Sequence, residues 1–123
     1  LVASDGAAYD FFGLSVAVSG DIVVVGTDPR TRIDNFIYQY SFNGSAYVFS
    51  ATTGDELHKL VPTDNARDDY FGRNVAVSGD IVVVGALGKF DYYYYDNFES
   101  EEKIGFAYIF NATTGAELHK LVA

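Results

Sequence analysis

Hydrophobic and polar positions along the chain follow one pattern, twice. Phe12, Leu14, Val16 and Val18 alternate with Gly13, Ser15 and Ala17. A period of two predicts a strand, here with one large and one small face. Ser19-Gly20-Asp21 then forms a tight hairpin signal, because glycine accepts positive φ. Ile22 to Val25 is an unbroken β-branched run closed by Gly26. A strand apolar on both faces is covered on both sides. After a long loop, Ala46 to Phe49 predicts a third strand, Thr52-Thr53-Gly54 a turn, and Glu56 to Val61 a fourth strand. No segment holds a helical period for three turns.

The string VAVSGDIVVVG at 16–26 returns unchanged at 75–85, an offset of 59. GSAYVFSATTGDELHK from Gly44 returns as GFAYIFNATTGAELHK from Gly105, an offset of 61. The two extra residues fall in 86–104, which matches nothing in its counterpart, 27–43. The chain therefore divides into a repeat at 1–59, a second at 60–120, and the start of a third at 121–123, where Leu121-Val122-Ala123 echoes Leu1-Val2-Ala3. A four-stranded unit of this size covers both of its faces by stacking on copies of itself, as propeller blades and solenoid rungs do. The small face of the first strand suits the crowded centre of a propeller. The expected fold class is all-β: two tandem four-stranded antiparallel propeller-type blades, part of a larger propeller, ring or repeat array.

Phe12-Gly13 followed by Val23-Val24-Val25-Gly26-Thr27, Phe71-Gly72 followed by Val82-Val83-Val84-Gly85-Ala86, and G-x-A-Y-x-F at 44–49 and 105–110 occur in the same order in both repeats. In these residues the chain resembles the FG-GAP repeat family, the blade repeat of integrin α-subunit propellers and of many bacterial and algal surface proteins. The resemblance covers nearly the whole chain. It implies a seven-bladed propeller, usually extracellular, used for adhesion or protein contacts. Two blades do not close such a ring. Calcium-binding members carry a D-x-D-x-D-G type loop between the first two strands. Here only Ser19-Gly20-Asp21 and Ser78-Gly79-Asp80 occupy that place, and one carboxylate does not supply the six to eight oxygens calcium takes. The family's metal site is expected to be absent.

Composition narrows the function. The 123 residues suffice for one domain, and the net charge of −9 argues against nucleic acid or an anionic membrane as partner. No apolar stretch reaches the length of a spanning helix. There is no cysteine, hence no disulfide or thiolate site. The chain opens at Leu1 without a signal-peptide pattern, as expected of a piece of something longer.

Candidate chemistry is sparse. His58 and His119, beside Glu56 and Glu117, sit at equivalent places and read as structural, since no nucleophile or second base accompanies them. Asp5, Asp10, Asp64, Asp68 and Asp69 lead into the FG segments. With Asp28, Asp34, Asp91 and Asp96 of the long loops they are expected to crowd one rim, since in a propeller the two loop sets share a face. Asp5, Asp10, Asp64 and Asp69 are the weak candidates for a calcium-like cation, against a plain solubilising role. The inserts are aromatic: Phe36, Tyr38 and Tyr40 in the first, and Tyr92, Tyr93, Tyr94, Tyr95 and Phe98 in the second. Tyrosine-rich loops suit protein or carbohydrate contacts, or pack on their own blade. Asn43-Gly-Ser45 and Asn111-Ala-Thr113 have the form of N-glycosylation acceptors.

Together these features predict a non-enzymatic, glycosylated structural module, extracellular or at the cell surface, without cofactor, whose partner is itself through head-to-tail stacking. The alternative is an adhesion or ligand-binding propeller module that uses the tyrosine-rich acidic loops.

Overall fold

In the computed structural model the described residues are 1–4, 12–13, 15–27, 30–33, 37–40, 44–63, 71–86 and 105–122; for 30–33 and 37–40 the description is of the backbone. All regular structure among them is strand. The first sheet contains β1 (Ser15–Ser19), β2 (Ile22–Gly26), β5 (Ala46–Ser50) and β6 (Glu56–Leu60), in the order β1-β2-β5-β6. Between β2 and β5 lies a separate two-stranded ribbon, β3 (Arg30–Ile33) and β4 (Ile37–Tyr40). The second sheet repeats the first with β7 (Asn74–Ser78), β8 (Ile81–Ala86), β9 (Phe106–Asn111) and β10 (Glu117–Val122), again as an antiparallel meander.

Local chemistry explains each turn. The β1–β2 and β7–β8 hairpins have two-residue loops, Gly20-Asp21 and Gly79-Asp80, with both glycines at φ 56°. Positive φ matches the twist of a tight hairpin. The aspartate then reaches across its sheet. The Asp21 carboxylate accepts from Thr52 N (2.7 Å), Thr52 Oγ1 (2.5 Å) and Ser50 Oγ (2.9 Å). Asp80 accepts from Thr113 N (3.0 Å), Thr113 Oγ1 (2.5 Å) and Asn111 Nδ2 (2.7 Å). The lone acid of each hairpin is thus a staple between the inner hairpin and the next turn. The hydrogen bonds from Thr52 and Ser50 hold the Asp21 carboxyl below its ordinary range.

Two expectations are adjusted. The first strand starts at Ser15 rather than Phe12, because Gly13 and Gly72 adopt φ of 93° and 96° and break the extended chain after each phenylalanine. The segment read as one long loop contains the β3–β4 hairpin, in register from Arg30↔Tyr40 to Ile33↔Ile37. Its ladder needs only backbone groups, which hydrophobic alternation does not report.

Register sorts the side chains into layers. Ser15–Gly26–Ala46–Leu60 and Ala17–Val24–Val48–His58 lie on one face of the first sheet, and Val16–Val25–Tyr47–Lys59 on the other. The main core lies between the sheets. Val24, Ala46, Val48 and Leu60 from the first meet Phe71, Val82, Val84, Tyr108 and Phe110 from the second. Phe71 packs edge-on against Tyr108 and Phe110, with ring centroids 5.3 and 5.9 Å apart. A smaller cluster of Val25, Tyr47 and Phe49 occupies the other face of the first sheet, with Phe12 edge-on to both rings.

Candidate functional site

The feature that organises the molecule is the joint between its two sheets. The first sheet contributes its small face and the second its large face. β1 aims Ser15, Ala17 and Ser19 at the joint, and β7 aims Val75 and Val77, which pack on the shared core. Glycines let the backbones approach. A Cβ on Gly26 would overlap the carbonyl oxygen of Gly72, and one on Gly44 would overlap that of Phe71. The Phe71-Gly72 turn is therefore seated in a socket floored by Gly26 and Gly44. Hydrogen bonds cross the same joint: Ser15 Oγ to the Gly72 carbonyl (3.0 Å), Gly79 N to Ser19 Oγ (3.1 Å), and His58 Nε2 to the Thr113 carbonyl (2.6 Å).

The chain leaving one blade is held by the next. Glu117, at the start of β10, accepts from Thr63 N (2.9 Å) and Thr63 Oγ1 (2.8 Å), just past the end of β6. Glu56, at the start of β6, accepts in the same way from Ser4 N and Ser4 Oγ, both at 2.9 Å. Neither this clamp nor the Asp21 and Asp80 staples stand out from the sequence, since the partners lie 29 to 54 positions apart. The readable signal was that each acid recurs together with its hydroxyl partner: Ser4 and Thr63, Thr52 and Thr113.

Repeat-equivalent residues that differ in exposure locate the remaining surfaces. Val75 and Val77 are half-buried in the joint, whereas their equivalents Val16 and Val18 are 65% and 66% exposed. Leu60 is 0% exposed, whereas Leu121 is 48% exposed. The first sheet leaves the β1 strip of its large face open, at Val16 and Val18, while Val25, Tyr47 and Phe49 on the same face are buried; the second leaves a small face open. On the second, Gly85, Ala86, Gly105, Phe106, Ala107, Leu121 and Val122 line a cavity of about 370 Å³.

The sequence candidates divide accordingly. His58 is a half-buried joint residue and His119 is exposed. Asn111 donates to Asp80 and accepts through Oδ1 from Thr113 N (2.8 Å) and Thr114 N (2.9 Å). It caps the turn, as Ser50 does in the first repeat by donating to Asp21 and accepting from Thr53 N (3.2 Å). Tyr38 and Tyr40 stand at alternate positions of β4. Asp5, Asp10, Asp64, Asp69, Asn43, Phe36, Tyr92, Tyr93, Tyr94, Tyr95 and Phe98 lie outside the described residues, as do Asp28, Asp34, Asp68, Asp91 and Asp96. Among the described residues no three acidic or histidine side chains gather as a metal-ligand group. No helix among them is long and apolar enough to cross a membrane.

Two four-stranded meanders stacked face to face, the second seated on the first by its FG turn, define blades of the propeller type. The FG-GAP repeat model matches residues 1–49 and 55–110, and the chain belongs to the FG-GAP repeat family. Membership marks a propeller-type module of a kind often extracellular or adhesion-related. No curated protein and no solved structure matches the chain.

Proposed function

We propose that this chain is a non-enzymatic structural module, extracellular and glycosylated at Asn43 or Asn111, that assembles head to tail through its blade faces into a propeller, ring or fibre. The observation that carries this reading is the inequality of equivalent residues. Val75, Val77 and Leu60 are covered where the two blades meet, and Val16, Val18 and Leu121 are not. A small face at one end and a large face at the other form a heterologous pair, which generates rings or open arrays rather than closed two-fold dimers. Exposed apolar surface of this kind is what interfaces cover. Catalysis draws no support from the acids and histidines with described partners, which bind backbone, hydroxyl or amide groups of their own fold.

Electron microscopy of the native material tests the reading. A disc of countable blades or a thread supports it. Single particles no larger than one chain, at concentrations where light scattering also reports a monomer, refute it. A second reading, adhesion or carbohydrate binding through the insert loops, draws on the β3–β4 ribbon with Tyr38 and Tyr40 at alternate positions. Replacing Tyr92, Tyr93, Tyr94 and Tyr95 with serine separates the two. Lost ligand binding with intact assembly favours the binding module.

A further inference from the structure

The insert of the first repeat carries a pattern that the blades do not use. Its two strands are hydrogen-bonded to each other and to neither four-stranded sheet. The register sets Arg30 opposite Tyr40, Thr31 opposite Gln39, Arg32 opposite Tyr38 and Ile33 opposite Ile37. Directly opposed residues share a face, and alternate residues along a strand return to it. Arg30, Arg32, Tyr38 and Tyr40 therefore fall on one face of the ribbon, and Thr31, Ile33, Ile37 and Gln39 on the other. The two strands hold no acid, on a chain with 17 acids against 8 lysines and arginines. A two-stranded ribbon alone is marginally stable, but this one has a fastened base. Thr27 N and Thr27 Oγ1 both donate to the Ser45 carbonyl (2.9 and 3.1 Å), and Ser45 N donates to Thr27 Oγ1 (2.9 Å). Both residues are buried. The equivalent positions of the second repeat are Ala86 and Phe106, so a blade does not require this polar latch. It belongs to the insert of the first repeat. Holding the two ends of an insert together lowers the ordering entropy that a ligand has to overcome.

We propose that the ribbon face holding Arg30, Arg32, Tyr38 and Tyr40 is a binding surface for an acidic polysaccharide, a chain of sugars that bear carboxylates. The inference rests on the second reading above, names its ligand class, and does not depend on head-to-tail assembly. Arginine offers a planar fork of donors that matches a carboxylate. Tyrosine offers an apolar ring with a polar tip, which suits a sugar ring that is apolar on its C–H face and polar at its hydroxyls. A uronic acid unit asks for both at once. The ribbon sets an arginine opposite a tyrosine twice, at positions about 7 Å apart along the strand. Two such steps fit a chain rather than a single sugar. Charge decides among anionic chains. At −9 the molecule as a whole repels polyanions, and Asp28 and Asp34 flank the ribbon strands in sequence. Attraction is therefore confined to about a Debye length, about 8 Å at physiological ionic strength. Nucleic acid relies on phosphate contacts summed over a broad basic surface and is disfavoured here. An acidic peptide would use the arginines and leave the tyrosines without a role.

Isothermal titration of the full chain with polygalacturonate tests this, with chelator present to exclude bridging by calcium. Neutral dextran and poly-glutamate are the comparison ligands. Polygalacturonate should bind about tenfold more tightly than either, and more weakly as salt is raised. Arg30→Gln with Arg32→Gln, and separately Tyr38→Ser with Tyr40→Ser, should each lower that affinity about tenfold. Thr31→Ala with Gln39→Ala, on the opposite face, should leave it within about twofold. The ribbon lies outside both four-stranded sheets, so urea unfolding of the blades should be the same in all three variants, which separates lost binding from lost folding. If dextran binds as well as polygalacturonate, carbohydrate binding stands and the acidic class is wrong. If poly-glutamate binds as well, the sugar is wrong. If the opposite-face pair loses as much affinity as the arginine pair, the face is wrong. If none of the three ligands binds, the inference falls together with carbohydrate binding through this ribbon.

Discussion

Gly26→Ala against Gly85→Ala is one substitution made at one repeat position in two surroundings. Neither glycine has a positive φ, so alanine is acceptable to both backbones. At Gly26 the new methyl group lands on the Gly72 carbonyl oxygen and beside Ser15 Oγ. The obstruction is backbone, fixed to its own sheet by the hydrogen bond from Gly72 N to the Gly85 carbonyl (3.2 Å), and does not swing aside as a long side chain would. The sheets must part. Val24, Val48, Phe71, Val82 and Val84 are 0–1% exposed in that joint. Burial of such side chains is worth about 2 kcal/mol each. A gap of about 0.5–1 Å forfeits a quarter or more of the attraction across it. Five side chains losing a quarter come to about 2.5 kcal/mol, and residual overpacking brings the expected loss to about 3 kcal/mol. At Gly85 the methyl group is accommodated, and the stiffer unfolded chain makes the variant more stable by about 0.4–1 kcal/mol. Urea unfolding at dilute protein concentration, compared at equal slope, measures both. Equal effects at the two positions would refute the assignment of one glycine to a closed joint and the other to an open face.

Other expectations follow from the same geometry. Phe71→Ala should cost about 3–5 kcal/mol in thermal or urea unfolding, and Phe12→Ala, at the half-buried equivalent position, distinctly less. The folded-state pKa of Asp21 is depressed, so its contribution to stability is complete above the ordinary carboxylate range and is lost as pH falls through the lowered value. Melting temperature between pH 6 and pH 2 should therefore fall at the acid end, and Asp21→Asn should flatten that fall. Glu117→Gln weakens the hold on Thr63 and should cost about 0.5–1.5 kcal/mol, read as faster amide exchange at Thr63 with β7 to β10 unaffected. Melting unchanged by excess calcium or by chelator is expected of hairpins carrying one carboxylate each.

The blades were legible because their signals are local. Ile22 to Val25 has to be a covered strand, and Ser19-Gly20-Asp21 has to turn. Family motifs then named the repeat. What the joint does with them was less legible, because identical strings carry identical information. Val16 and Val75 are the same residue in the same word, and only the presence of a neighbouring sheet makes one exposed and the other half-buried. Asp21 gave no sign of its staple role because its hydrogen-bond partners, Thr52 and Ser50, arrive from across the sheet. The β3–β4 ribbon escaped notice because the segment has no counterpart in the second repeat to align with, and a backbone ladder leaves little trace in hydropathy.

The mismatch between the two faces of a blade has an arithmetic consequence. Each added blade covers one small face or one large face and presents another of the same kind. The open apolar area is therefore a constant of the architecture, the same for two blades as for twenty, and lengthening the stack neither relieves nor worsens it. Only bringing the last small face round to the first large one removes it. In an array of such blades, duplication of a repeat is neutral with respect to open apolar face, and closure is the event that removes it.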